Sequence, residues 1–257
     1  MGEALVKGLL DKGIAKKAKI LASDARSARR KYIKRRYKIK VVSSNEIIAE
    51  SCNIIILAVK PQDIDEALRS IYDDINTTKL IISIAAGVKI RHIQKSLPKC
   101  RVIRVMPNTP ALVGSGITAI CKPKSTKTAD FNITKRIFSS VGNIIEVSEG
   151  LMDIITATSG SGPAYFFLLI DAMIKAGVSK GLSKKTSEKL ILNTALGAAM
   201  LALDSGKPVS QLIEKVASRG GTTEAALKVF GKRGFKNIVK EAVKAAAKRS
   251  KELSKKF

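Results

Sequence analysis

"NIIILAVKPQDIDEALRSIY", residues 53 to 72, sets an unbroken apolar run directly against a helical pattern. Residues 53 to 59 do not alternate apolar with polar, so both faces of the strand they predict must be covered. After Pro61, the residues Ile64, Leu68 and Ile71 recur at helical spacing. The same alternation extends outward. "KILAS" (19 to 23) and "KVVS" (40 to 43) lie upstream, and "KLIISIA" (79 to 85) and "RVIRV" (101 to 105) downstream, each followed by a helical stretch. "GITAIC" (116 to 121) and "NIIEVS" (143 to 148) flank the helical "DFNITKRIFSSVG" and complete the sheet. The expected fold is α/β, a doubly wound parallel sheet covered on both sides.

After Gly150 the strand pattern stops, which predicts two domains, 1–150 and 151–257, the second all-helical. "SKKTSEKLILNTALGAAMLALDSGKP" has clear punctuation, with Ser183 as N-cap and Gly206 and Pro208 past the end. From Pro163 to Ile174 only Asp171 is charged, and the next helix carries Ala195, Gly197, Ala198, Ala199 and Ala202. A helix apolar on nearly all sides must be buried on nearly all sides, and about a hundred residues offer limited room for that. A homodimer that interlocks these helices is expected.

Composition narrows the function classes. With 257 residues and 45% hydrophobic content the chain has material for real cores. The most apolar segment, "PAYFFLLIDAMI", is short for a membrane span, and the N-terminus "MGEALVKGLLDKG" reads as a helix and not a signal peptide. Three scattered cysteines, Cys52, Cys100 and Cys121, without a CxxC and with a single histidine, predict no metal site and a reducing cytoplasm. His92, beside Arg91, reads as a surface residue of a helix. The net charge of +26 gathers in "RSARRKYIKRRYKIK" (26 to 40) and along "KEAVKAAAKRSKELSKKF". No helix-turn-helix, zinc-finger or RNP signature accompanies it, so only weak, nonspecific, salt-sensitive nucleic-acid association is expected.

"ASRGGTTEAALKVF", residues 217 to 230, puts bare backbone and two hydroxyls at the mouth of a helix. Gly220 and Gly221 let a ligand approach the main chain, with Thr222 as the expected N-cap. The first N–H groups of such a helix lack internal partners and carry the positive end of the dipole, a seat for a carboxylate. Thr223 adds a hydroxyl that both donates and accepts.

Five blocks, "AVKPQ" (58 to 62), "SIAAGV" (83 to 88), "RVMPNTPALVGSG" (104 to 116), "SGSGPAYFF" (159 to 167) and "ASRGGTTEAALKVF", resemble pyrroline-5-carboxylate reductases in order and spacing. The resemblance runs from Met1 to about residue 250. It implies a Rossmann domain joined to an all-helical dimerisation domain that reduces 1-pyrroline-5-carboxylate to L-proline with NADPH, NADH being the alternative. By similarity, Ala58, Val59, Lys60 and Pro61 line the cofactor crevice at a strand end, Asn45 lies near the adenosine ribose, and Ala85, Ala86 and Gly87 lie beside the nicotinamide. Met106 to Thr109, including Asn108, form the loop between cofactor and substrate. Ser218, Gly221, Thr222 and Thr223 belong to the substrate loop, with Thr223, the candidate catalytic residue, hydrogen-bonded to the ring nitrogen. The turn after "KILAS" presents Ser23, Arg26 and Arg29 to a 2′-phosphate, though Asp24 beside them favours the unphosphorylated ribose.

Two departures accompany the resemblance. Arg219 stands where some members have proline. The family's first strand and glycine loop are represented only by the final Met-Gly of the GxGNMG pattern, so Gly2 alone stands for the pyrophosphate turn. A sheet lacking that strand is expected to be rearranged or poorly ordered, to bind dinucleotide weakly, and to be completed by about a dozen upstream residues. Two alternatives stay open. One is another dehydrogenase of this architecture, using Lys175, Lys180 or Lys189; the other is a non-enzymatic homologue.

Overall fold

The computed structural model describes residues 1–123 and 126–255. Helix α1 (Gly2–Asp11) leads to β1 (Leu21–Ser23), α2 (Ser27–Tyr37), β2 (Lys40–Val42), α3 (Glu46–Ser51), β3 (Ile54–Leu57) and α4 (Ile64–Arg69). There follow β4 (Leu80–Ser83), α5 (Ile90–Ser96), β5 (Arg101–Met106), β6 (Gly116–Cys121), α6 (Thr128–Phe138) and β7 (Gly142–Val147). Beyond these the chain is helical: α7 (Met152–Ile155), a π-turn Thr156–Gly160, α8 (Gly162–Ser179), α9 (Lys184–Asp204), α10 (Val209–Val216), α11 (Thr222–Lys232) and α12 (Phe235–Ser254). The chain divides into two compact units, Met1–Ser161 with Ala245–Phe257, and Gly162–Lys244.

In the first unit β4 shows why the sheet is covered on both faces. Leu80 and Ile82 join Ala4, Leu5, Ile103, Val105, Phe131 and Phe138 in one core, while Ile81 joins Ile55, Leu57, Ile64, Leu68 and Ile93 in the other. Successive side chains of a strand point to opposite faces, so an unbroken apolar strand needs two partners. Helices α1 and α6 supply one cover; α4 and α5 supply the other. Full burial of a side chain the size of Phe138 or Ile81 contributes about 1.5–3 kcal/mol.

Two features depart from a continuous parallel sheet. The order is β1-β2 in one piece and β3-β4-β5-β6-β7 in another, with no ladder between β1 and β3. The break falls between β1 and β3, and the strands on either side, β1 with β2 and β3 with β4, pair in parallel. In addition β6 runs antiparallel to β5, with Arg104 opposite Cys121, and β7 is parallel to β6. The link from β5 to β6 is a short 3₁₀ turn, Thr109–Val113, whereas a parallel crossover needs about a dozen or more residues.

The second unit contains no buried hydrophobic side chain among the described residues. Helices α8 and α9 pack closely where Ser187 Oγ donates to the Ile174 carbonyl at 2.9 Å. Ser183 caps α9 as expected, its Oγ accepting from Thr186 N–H at 3.1 Å. Phe166, Phe167, Leu168, Leu196, Met200 and Leu203 stand exposed. Residues Glu149–Ser179 form one continuous helical run with a window of mean hydropathy 1.2, long and apolar enough to cross a membrane by length and composition. Counting only uninterrupted apolar residues from Pro163 misses this, because the helix begins earlier and tolerates charges. Only 6% of that window is buried.

Candidate cofactor and substrate site

Strands β3, β4 and β5 are parallel neighbours, so the loops after them emerge at one edge of the sheet. Those loops carry Ala58 to Pro61, Ala85 to Gly87 and Met106 to Thr109, and their placement at carboxyl ends of parallel strands is that of a ligand crevice. Gly2, at the start of α1, comes to the same edge: a Cβ on it would meet Ala58 Cβ at 3.4 Å. Ala58, Val59 and Lys60 are exposed. Ala85 and Gly87 are buried, Gly87 at φ +78° in a turn that an L side chain rarely adopts. The loop after β5 is tied down on both sides. Asn108 Oδ1 accepts from Ile117 N–H at 3.0 Å, Asn108 Nδ2 reaches Ser159 Oγ at 3.5 Å, and a Cβ at Gly160 would lie 3.0 Å from Met106 Cε.

At the other end of the crevice Ser23 Oγ donates to Asn45 Oδ1 at 2.7 Å, and Asn45 Nδ2 donates to Ser70 Oγ at 3.0 Å. The chain therefore links the β1 turn to α3 and α4. Asp24 turns inward: its Oδ1 accepts from Arg26 N–H at 2.9 Å and Arg26 Nε at 3.3 Å. The Arg26 side chain is 77% exposed although its Nε is paired with Asp24. Arg30 shapes the same turn by donating to the Asp24 and Ala25 carbonyls, both at 2.8 Å. Arg29 is committed elsewhere. It pairs with Glu3, which also accepts from Tyr37 Oη at 2.8 Å and Tyr32 Oη at 3.1 Å. Burial alone would raise the Glu3 carboxyl, but Tyr37, Arg29 and Tyr32 together hold it below its ordinary value.

The Ser218–Thr223 loop lies in the second unit. Thr222 is the first residue of α11 and not its cap; Gly221 is the N-cap and brings no side chain. Glu224 takes the capping role, its Oε2 accepting from Gly220 N–H at 2.6 Å, which lowers the carboxyl together with Lys228. Gly220 sits at φ +74°. A Cβ at Gly221 would meet Ser218 Oγ at 2.5 Å, so the turn is closed by contact. Ser218 and Thr222 are exposed and Thr223 is half-buried at the helix mouth.

Several residues escape a reading by motif. Glu149 Oε1 accepts from Ile90 N–H at 2.8 Å and from the buried Arg104 at 3.3 Å, joining α5 to β5. His92 is not a plain surface residue: its Nε2 lies 2.6 Å from Asp65 Oδ1, linking α5 to α4. The π-turn is another; such turns recur at functional sites. Lys175, a candidate base of the alternative reading, pairs with Asp171 at 2.6 Å along α8.

Comparison with known proteins bears on the same segments. Residues 149–253 match the family described as pyrroline-5-carboxylate reductase dimerisation, and residues 1–87 match the NADP oxidoreductase coenzyme F420-dependent family. The pyrroline-5-carboxylate reductase of Synechocystis sp. is 43% identical over 256 residues, covering 100% of this chain and 96% of the relative. Among solved structures, the pyrroline carboxylate reductase of Plasmodium falciparum with NADP bound superposes with a TM-score of 0.90 at 37% identity, covering 99% of this chain and 94% of that one. The Coxiella burnetii pyrroline-5-carboxylate reductase gives 0.90 at 36% identity, over 98% and 94%. With its Rossmann-type first unit, its helical second unit and this kinship along its whole length, the chain belongs to the pyrroline-5-carboxylate reductase family.

Proposed function

We propose that this chain reduces 1-pyrroline-5-carboxylate to L-proline with NADPH, in the cytoplasm, as a homodimer or a larger assembly of dimers. The observation that carries the reading is full-length kinship to reductases at 43% identity. The residues present fit a phosphorylated dinucleotide: an open strand edge for the rings, the Ser23–Asn45–Ser70 chain by the ribose, and the exposed Arg26 for a 2′-phosphate.

When bound, the reduced nicotinamide supplies the hydride that adds to C5 of the substrate ring. The protein's part is alignment. Ala85 to Gly87 and Met106 to Asn108 hold one ring at the strand ends; the N–H groups at the start of α11 take the substrate carboxylate. Thr223 Oγ1 accepts from the N–H of the protonated ring nitrogen, orienting the imine whose C5 is most electrophilic. The nitrogen keeps its proton and the carbon gains the hydride, so the product is L-proline and no strong base is required.

The test is NADPH oxidation, followed by absorbance, with pyrroline-5-carboxylate and small oxo acids compared on the purified chain. Turnover confined to the imine supports the reading. A folded chain that binds NADPH and reduces no imine, or that works equally on oxo acids, would sink it.

A further inference from the structure

The far end of α12 does something the rest of that helix does not. Most of α12 is exposed, yet Ser250 and Ser254 are only 4% and 1% exposed. Both hydroxyls meet one carboxylate: Ser250 Oγ donates to Asp153 Oδ1 at 2.7 Å, and Ser254 Oγ reaches the same atom at 3.3 Å while also facing the Ser250 carbonyl at 3.0 Å. Two buried hydroxyls on one carboxylate oxygen are a joint, since a buried hydroxyl without an acceptor is costly. Between the serines, Leu253 presses on the crevice. A Cβ built at Gly87 would lie 3.3 Å from Leu253 Cβ and 3.4 Å from Ser254 N, so the end of α12 lies directly against the turn.

The joint thus fixes two parts of the crevice. Gly87 closes the turn after β4, where Val88 N–H returns to the Ala85 carbonyl at 3.4 Å. Asp153 sits in α7, directly before the π-turn whose Gly160 packs on Met106. Pulling on Asp153 therefore acts on the loop after β5, and pressing on Gly87 acts on the loop after β4. These two loops are the ones assigned to the cofactor ring. We propose that the C-terminal end of α12 is a clasp on the Ala85–Gly87 turn, and that Ser250, Ser254 and Asp153 are positioning residues that hold the turn in its ligand-binding shape. The cofactor side of this inference rests on the function proposed above; the clasp itself rests on the contacts alone.

The experiment compares the full chain with Ser250→Ala/Ser254→Ala and with Asp153→Asn, whose Oδ1 still accepts. Hydrogen exchange at residues 85–88 is read without ligand, and NADP⁺ affinity is read by calorimetry. We expect exchange at Gly87 and Val88 to rise about tenfold in the double serine variant, the scale of one lost hydrogen bond, with a several-fold weaker NADP⁺ dissociation constant. The unfolding midpoint should move little, and Asp153→Asn should stay near the parent in both readouts. Unchanged exchange overturns the clasp. Faster exchange with unchanged NADP⁺ affinity overturns its role toward the cofactor. If the parent chain binds no NADP⁺, the proposed function fails, while the exchange comparison still upholds or overturns the clasp. Should the double variant unfold, Ser250→Ala alone, which gives up the 2.7 Å bond and keeps the Ser254 contact, provides the same two readouts.

Discussion

Replacing Gly221 by alanine probes whether contact sets the shape of the Ser218–Thr223 loop, proposed above to seat the substrate. The backbone there, at φ −83° and ψ 171°, suits any residue, so strain in the main chain is not the issue. The new Cβ would stand 2.5 Å from Ser218 Oγ and 3.1 Å from the Ser218 carbonyl oxygen. The hydroxyl is free to rotate away, at about 0.5–1.5 kcal/mol if it is left off a staggered position. The carbonyl is less free, because it already accepts from Gly221 N–H at 3.0 Å, and has to yield by a few tenths of an ångström. Together these displace the N-terminus of α11 and the two threonines on it. For Gly221→Ala we expect kcat/KM for pyrroline-5-carboxylate to fall about two- to tenfold, with NADPH affinity and the thermal midpoint nearly unchanged. Adding Ser218→Ala removes the closest clash, so a double-mutant cycle should show recovery, a coupling of at least about 0.5 kcal/mol. Strictly additive losses, or a Gly221→Ala enzyme of parental efficiency, would refute the contact argument.

Other outcomes follow from the same geometry. Arg26→Ala should lower the preference for NADPH over NADH by roughly fivefold, the modest value of an exposed ion pair, seen in the ratio of kcat/KM values. Thr223→Ala should reduce turnover by about 1–3 kcal/mol of transition-state stabilisation while Thr223→Ser keeps much of the activity; steady-state kinetics decides whether the hydroxyl matters. Glu3→Gln should lose about 0.5–1.5 kcal/mol of stability at pH 7 in denaturant titrations. Because the Glu3 carboxyl lies below its ordinary 4.5, its contribution is complete above that value and lost as pH falls through the folded one; the gap between parent and Glu3→Gln should close in acid.

The sheet was readable because apolar runs such as residues 53–59 have no other use in a chain this polar. The reversal of β6 was not, since "GITAIC" looks the same in either direction and only the short link before it decides. In the Ser218–Thr223 loop the glycines and threonines stand out, but the cap is not Thr222, the usual choice of residue type: Gly221 holds that position, and Glu224 reaches back to Gly220. Sequence position suggests Arg29 for a phosphate, whereas the structure pairs it with Glu3. That pairing joins residues far apart in the chain and leaves no local pattern. The same holds for Asp153 with Ser250 and Ser254: their separation hides the joint from any motif, and serines on a lysine-rich helix read as solvent-facing.

The second unit, with no buried hydrophobic side chain of its own among the described residues, has a consequence for kinetics. If this unit acquires its dry interior by meeting a second copy, as proposed above, it matures in a bimolecular step, so its half-time depends on how much chain is present. Freshly made subunits would pass through a period in which Phe166, Phe167 and Leu168 are open to proteases and chaperones, shorter when synthesis is brisk. Recovery of activity after dilution from denaturant should then slow in inverse proportion to protein concentration, whereas a chain that folds alone would keep one rate throughout.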